Sequence, residues 1–129
     1  MASILIVDDS LACRNATAAL LRAEGHQVNS ADNAWRGLTI LESMPIDLVI
    51  LDLELPGLNG LGFLKDVGNG RHRSLPVIVA SAMDETPELR EKCGSQVKRW
   101  MVKGIYSGEE LLEAVNEVIG VGAPAVAAA

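Results

Sequence analysis

The sequence predicts an α/β fold: a doubly wound (βα)5 domain with a five-stranded parallel sheet in the order 2-1-3-4-5. Short runs of apolar, often β-branched residues alternate along the 129-residue chain with longer stretches of helical period. The three runs expected at the centre are apolar without interruption, which suits strands covered on both faces. Strict alternation of this kind requires right-handed crossovers, and hence parallel strands with helices on both sides.

Ile4-Leu5-Ile6-Val7 forms the first central strand. Ala12, Ala16, Ala19, Leu20 and Ala23 then share one helical face, and Gly25 is placed to end that helix in a left-handed cap. Gln27-Val28-Asn29-Ser30-Ala31 alternates in polarity, as an edge strand does. Asp32 is the expected N-cap of a second helix carrying Ala34, Leu38 and Leu41 and ending before Pro45. Leu48-Val49-Ile50-Leu51 is the third strand, and Gly60 to about Val67 a short third helix. Val77-Ile78-Val79-Ala80 is the fourth strand; Thr86 and Pro87 supply an N-cap and first-turn proline for a polar fourth helix. Trp100-Met101-Val102, after the basic Lys98-Arg99, is a brief fifth strand at the other edge. Ser107-Gly108-Glu109-Glu110 is a capping box, followed by an apolar stripe of Leu111, Leu112, Val115, Val118 and Ile119. The five βα units imply the flavodoxin-like strand order. They place one domain over residues 1–120 and leave 121–129, rich in alanine, as a disordered tail or linker stub.

Composition narrows the function. Hydrophobic residues make up 49% of the chain, too many for a disordered protein, and the net charge of -6 opposes broad affinity for nucleic acid or anionic membranes. An acidic excess is otherwise a common solubility device. Cys13 and Cys93 lack metal or disulfide spacing. The first residues carry no basic signal region, and no stretch reaches the ~18 apolar residues of a membrane span, so a cytoplasmic setting is expected.

In an open α/β sheet, ligands bind beyond the carboxyl ends of the strands, where strand order reverses. The first strand here runs into Asp8-Asp9, the third into Asp52, the fourth into Ser81 and the fifth into Lys103. The carboxylates of neighbouring strands can share one hard cation, and Mg²⁺ suits them because it takes oxygen ligands while retaining waters. A carboxylate is also a nucleophile toward phosphorus, forming an acyl phosphate, with Lys103 and Ser81 placed to contact its oxygens. Taken singly, each of these acids reads as a cap or solvated loop residue, Ser81 as a turn hydroxyl and Lys103 as a solvated chain end. Chance does not easily bring all five to one sheet edge.

At these residues the chain resembles the receiver domain of bacterial response regulators, the chemotaxis-type single-domain module of two-component signalling. The resemblance spans roughly Ser3 to Gly120: Ile4 to Ser10 as the first strand and acidic pair, Asp47 to Gly60 as the phosphoacceptor block, Leu75 to Ala82 as the strand with the switch hydroxyl, and Lys103 as the lysine. It implies that Asp52 accepts a phosphoryl group from a histidine kinase, a histidine phosphotransfer protein or a small phosphodonor. It further implies that Asp8, Asp9, Asp52 and the backbone carbonyl of Glu54 hold Mg²⁺. Ser81 would turn toward the phosphoryl group and Trp100 rotate with it, switching the face of the fourth helix, fifth strand and fifth helix for a downstream protein effector. Trp100 reads equally well as an edge-strand packing residue. Such a module catalyses nothing beyond its own phosphorylation and dephosphorylation, contacts neither nucleic acid nor membrane directly, and acts as a monomer or a phosphorylation-dependent dimer.

Two positions depart from the family pattern. Gly104 stands where proline usually follows the lysine, often across a cis bond; without proline a cis bond costs about 2.5–4 kcal/mol, so a trans loop is expected. Glu54 adds a carboxylate beside the site that could slow or redirect attacking water. The other readings are a receiver-like interaction module that does not turn over phosphate, which Gly104 favours, and an Asp-nucleophile phosphatase of the haloacid dehalogenase type. The phosphatase has its nucleophile on the first strand and its acidic pair late, the reverse of this order. A flavin carrier would need a phosphate loop after the first strand, which this sequence lacks. His26, His72, the basic Arg71-His72-Arg73 and the glutamates 109, 110, 113 and 117 read as solvated surface.

Overall fold

A computed structural model of the chain describes residues 2–55, 57 and 59–119. Five strands and five helices alternate: β1 (Ser3–Val7), α1 (Leu11–Ala23), β2 (Gln27–Ala31), α2 (Ala34–Ser43), β3 (Leu48–Leu51), α3 (Gly60–Gly68), β4 (Val77–Ser81), α4 (Pro87–Cys93), β5 (Val97–Val102) and α5 (Gly108–Ile119). All strand pairs are parallel, in the order β2-β1-β3-β4-β5. The expected tail at 121–129 lies outside the described residues, among which no helix is long and apolar enough to cross a membrane.

The strand period of two divides the core between the sheet's faces. Leu5, Val7, Val49, Leu51, Val77 and Val79 point toward α2, α3 and α4, where Leu41, Phe63, Leu64, Val67 and Cys93 cover them. Ile4, Ile6, Leu48, Ile50, Ile78 and Ala80 point the other way, under Ala18 and Leu21 of α1 and Leu111, Ala114 and Val115 of α5. A one-residue slip would exchange both sets, so the double burial fixes register.

Local signals set the helix ends. Gly25, at φ +91°, closes α1 in a Schellman motif: its N–H meets Arg22 O at 3.0 Å and that of His26 meets Leu21 O at 3.2 Å. The Ser107 hydroxyl and Glu110 carboxylate form the reciprocal capping box at 3.1 and 2.9 Å. Thr86 caps α4 ahead of Pro87 as expected. The cap of α2, however, is Asn33 rather than Asp32: its Oδ1 accepts from Arg36 N at 2.9 Å, while Asp32 accepts from the Asn33 amide. The two residue types cap about equally well, so the helix start decides, and α2 begins at Ala34.

The fifth strand is also longer than expected. It starts at Val97, and a register shift leaves Lys98 unmatched, with Val97 opposite Val77 but Arg99 opposite Ile78. This bulge lets Val97 and Trp100, three residues apart, both pack on the α2–α3–α4 side. Alternating burial inside the strand is thereby broken, which hid its first half from a pattern-based reading.

Gly60 opens α3 directly against the loop that follows β3. Its N–H donates to Leu53 O at 3.0 Å, and a Cβ here would lie 2.5 Å from Leu53 Cα and 2.9 Å from Asp52 O. Gly60→Ala is therefore expected to destabilise the fold by about 1–3 kcal/mol through overpacking, seen as a lower urea midpoint with displaced Asp52 and Leu53 amide resonances. Gly70→Ala, whose Cβ would meet Asp66 O at an ordinary 3.6 Å, should stay within about 0.5 kcal/mol of wild type.

Candidate functional site

The switch in strand order between β1 and β3 puts Asp8 and Asp52 side by side, continuing the pairing of Val7 with Leu51. Backbone bonds extend the sheet one step beyond the strands: Asp8 N–H donates to Ala31 O at 3.0 Å and Asp52 N–H to Val7 O at 2.9 Å. Both side chains are buried, each about 5% exposed. Isolated carboxylates would not tolerate such burial, and here each is satisfied in the same way. Asp8 Oδ1 accepts from Ser10 N and Asp52 Oδ1 from Glu54 N, both at 2.9 Å. The remaining oxygens, Asp8 Oδ2 and Asp52 Oδ2, each lie 2.7 Å from Lys103 Nζ.

Lys103 reaches this bridge from beyond β5, across the end of β4. Its own N–H donates to Ser81 O at 2.8 Å, which sets the base of the side chain beside the fourth strand. Burial alone would lower its pKa, but hydrogen bonds to Asp52 and Asp8, and their charges, prevail and hold the ammonium well above its ordinary 10.5. The expected trans loop is present, since no peptide bond among the described residues is cis. Gly104 takes φ +84°, which proline cannot adopt. The turn is closed by Ile105 N–H on Val102 O at 3.1 Å. Glycine thus delivers the lysine to the carboxylates without proline.

Asp9 completes a cluster in which one oxygen of each of Asp8, Asp9 and Asp52 lies within 4.8 Å of the others. Unlike the other two it is exposed, and its side chain has no hydrogen bond or ion pair among the described residues. The Glu54 side chain is also exposed, and its contact with the site is the N–H to Asp52. Three carboxylates, two of them anchored by backbone N–H groups, form an all-oxygen set suited to a hard divalent cation.

Ser81 is fully buried at the end of β4, opposite Val102. Its Oγ accepts from Met83 N at 3.3 Å, and Met83 O accepts from Trp100 Nε1 at 2.9 Å. One peptide segment thus joins the buried hydroxyl to the half-buried indole. Nothing in the sequence marks Met83 for this place. Arg14 was also missed: from the second turn of α1 its Nη1 donates to Asp8 O at 2.9 Å, pinning the acidic turn and adding a cation beside it. Trp35, 58% exposed, packs on Gly57, where a Cβ would come within 2.4 Å of the ring. The two histidines are structural: His26 Nδ1 accepts from Ala2 N at 3.0 Å, and His72 lies 3.4 Å from Glu42.

Most of the chain resembles known proteins. Residues 4–116 match the response regulator receiver domain. Protein PilH of Pseudomonas aeruginosa is 31% identical over 120 residues, covering 92% of this chain and 98% of PilH. A probable transcriptional regulatory protein of Picosynechococcus is 41% identical over 91 residues, a match spanning 63% of this chain but 35% of that longer protein. Among solved structures, chemotaxis protein CheY4 of Vibrio cholerae superposes with a TM-score of 0.83 at 26% identity, covering 92% of this chain and 99% of CheY4. Response regulator TrrA of Thermotoga maritima, solved in complex with Mg²⁺ and BeF, gives 0.79 at 28% identity, over 92% of this chain and all of TrrA.

Because the Lys103 pKa is raised, its stabilising effect is fully present below the ordinary 10.5 and fades only as pH rises through the elevated value. Lys103→Met is expected to destabilise the protein by about 1–3 kcal/mol, leaving two buried carboxylates without their shared donor. Urea melts should give a level difference from wild type between neutral pH and about pH 9, below the range where lysine titrates.

Proposed function

The chain belongs to the response regulator receiver domain family of two-component signalling, and from that premise we propose that Asp52 is its phosphoacceptor. The observation that carries this reading is the Lys103 ammonium, 2.7 Å from both Asp52 and Asp8 at the mouth of the acidic cluster. In the reaction, a carboxylate oxygen of Asp52 forms a bond to phosphorus while the bond from phosphorus to the donor's nitrogen or oxygen breaks. The bonding pair leaves with the donor, and the product is an acyl phosphate. Asp8, Asp9, Asp52 and the Glu54 carbonyl would hold Mg²⁺, which neutralises charge on the transferring group when bound. Lys103 pairs with a phosphoryl oxygen, and the backbone N–H of Glu54 orients Asp52.

Ser81 then donates its hydroxyl to another phosphoryl oxygen. As Oγ turns inward, Met83 N–H loses its acceptor, and the peptide whose carbonyl holds Trp100 is released. The indole follows, and the α4-β5-α5 face repacks for a protein effector. This is a shift between two populated arrangements, biased by the new charge. The module has no chemistry beyond gaining and losing this phosphoryl group. Leu11, two residues after Asp9, is 62% exposed, and Ile105, two after Lys103, is 76% exposed. Apolar side chains on either flank of a charged pocket suit docking by a phosphohistidine-bearing partner.

Incubation with Mg²⁺ and acetyl phosphate should add one phosphoryl group by intact mass, and beryllofluoride should change Trp fluorescence. Asp52→Asn should abolish both; an adduct on that variant, or none on wild type, overturns the assignment. Trp100→Phe should retain the adduct and lose the fluorescence response, leaving Trp35 as a constant background.

Free Mg²⁺ at 100 times its dissociation constant should stabilise the wild type by about 2.7 kcal/mol, an effect reversed by EDTA. Asp9→Asn should remove most of that gain while leaving metal-free stability within about 0.5 kcal/mol, because Asp9 is exposed.

A further inference from the structure

Away from the acidic edge, a cleft of about 740 Å³ opens between the C-terminal ends of α3 and α4. Its charge is opposite to that of the protein. Lys65, Arg73 and Lys92 line it and no acidic residue does, although the chain carries 17 acids and a net charge of -6. None of the three cations is in an ion pair among the described residues. The basic triplet on the α3–β4 loop is divided accordingly: Arg71 and His72 turn to Glu42 at 3.2 and 3.4 Å, while Arg73 turns into the cleft.

The walls are tied together in advance. Gln96 Nε2 donates to His72 O at 3.1 Å and to Leu75 O at 2.9 Å, clamping the α3–β4 loop to the segment between α4 and β5. Buried Leu64 and Cys93 and half-buried Leu61 give the cleft an apolar floor. The cleft is open and lined mostly by polar residues, with a volume in the range that can hold a short segment of chain.

The chemistry favours a peptide over a small polyanion. No aromatic ring lines the cleft to stack on a nucleobase. The last turns of α3 and α4 end there: Lys65 O, Val67 O and Arg90 O accept from the N–H groups of Asn69, Gly70 and Gly94, and the other carbonyls of these last turns carry the partial negative charge of a helix C-terminus. The helix ends account for Lys65 and Lys92 as neighbours of that partial charge, but not for Arg73 on its loop. A bare phosphate would be repelled by the carbonyls, whereas a peptide brings N–H donors to them and carboxylates to the cations. We propose that the α3–α4 cleft docks an acidic amphipathic segment of a partner protein, its carboxylates on Lys65, Arg73 and Lys92 and its apolar side chains on the floor. This surface is distinct from the phosphoacceptor edge and does not depend on the reading of that edge.

The test is a titration of the full, ¹⁵N-labelled chain with a synthetic amphipathic Glu/Leu peptide, with a Lys/Leu peptide and sodium tripolyphosphate as separate arms. The Glu/Leu peptide should give saturable shifts confined to amides of the α3 and α4 C-termini and the Arg73 loop, weaker at high salt. The variant Lys65→Glu/Arg73→Glu/Lys92→Glu should keep its spectral dispersion and bind roughly tenfold or more weakly. Scattered or non-saturating shifts, equal binding by the variant, or saturation by tripolyphosphate without the peptide would each overturn the proposal.

Discussion

Two buried carboxylates at the ends of adjacent strands repel one another, and a single ammonium between them makes the arrangement tolerable. Lys103, 2.7 Å from both Asp8 and Asp52, therefore constrains much of the molecule. The sheet must place β1 beside β3 so that the acids meet, and β5 must end where a lysine stem can cross β4 to reach them. Each acid also needs a second donor, and the tight turns after β1 and β3 supply it through the N–H groups of Ser10 and Glu54. What appears as a reactive site is also a solution to the problem of burying charge.

The same junction links chemistry to the surface. Ser81 lies one strand from Asp52 and is fully buried, so its hydroxyl can respond to a group on Asp52 without exposure to bulk water. Its acceptor bond from Met83 N, followed by the Met83 carbonyl bond to Trp100, makes a short path of two hydrogen bonds across one residue. Hydrogen bonds contribute only about 0.5–1.5 kcal/mol net, so exchanging one for a charge-assisted bond to a phosphoryl group, as proposed, would be enough to bias two arrangements. The path also gives the indole a stated resting state, held at Met83 O, from which it would have to move.

Acidity is distributed unevenly, and this separates two surfaces. Asp8, Asp9 and Asp52 concentrate negative charge at the carboxyl edge, while the α3–α4 cleft gathers three cations that form no ion pair among the described residues and has no acid in its lining there. Opposite fields on different faces would allow a small domain to engage different partners without competition between them.

Much of this was readable from the residues. Uninterrupted apolar strands, helix caps at Thr86 and Ser107 and the left-handed Gly25 are local signals, and local energetics enforce them. The five chemical groups were legible because each lies at the carboxyl end of a strand or within two residues beyond it, so the fold class alone brings them to one edge. The order of Asn33 and Asp32 at the second cap was not, because both side chains can do the same work. The first half of β5 was hidden by its bulge, where Lys98 breaks the alternation that marks a strand. Only the tertiary structure decided that Gly104 turns left-handed and still delivers Lys103, that Arg14 returns to the acidic turn, and that Met83 joins Ser81 to Trp100. These contacts link residues of different elements or turns, and their geometry is set by packing that no run of neighbouring residues encodes.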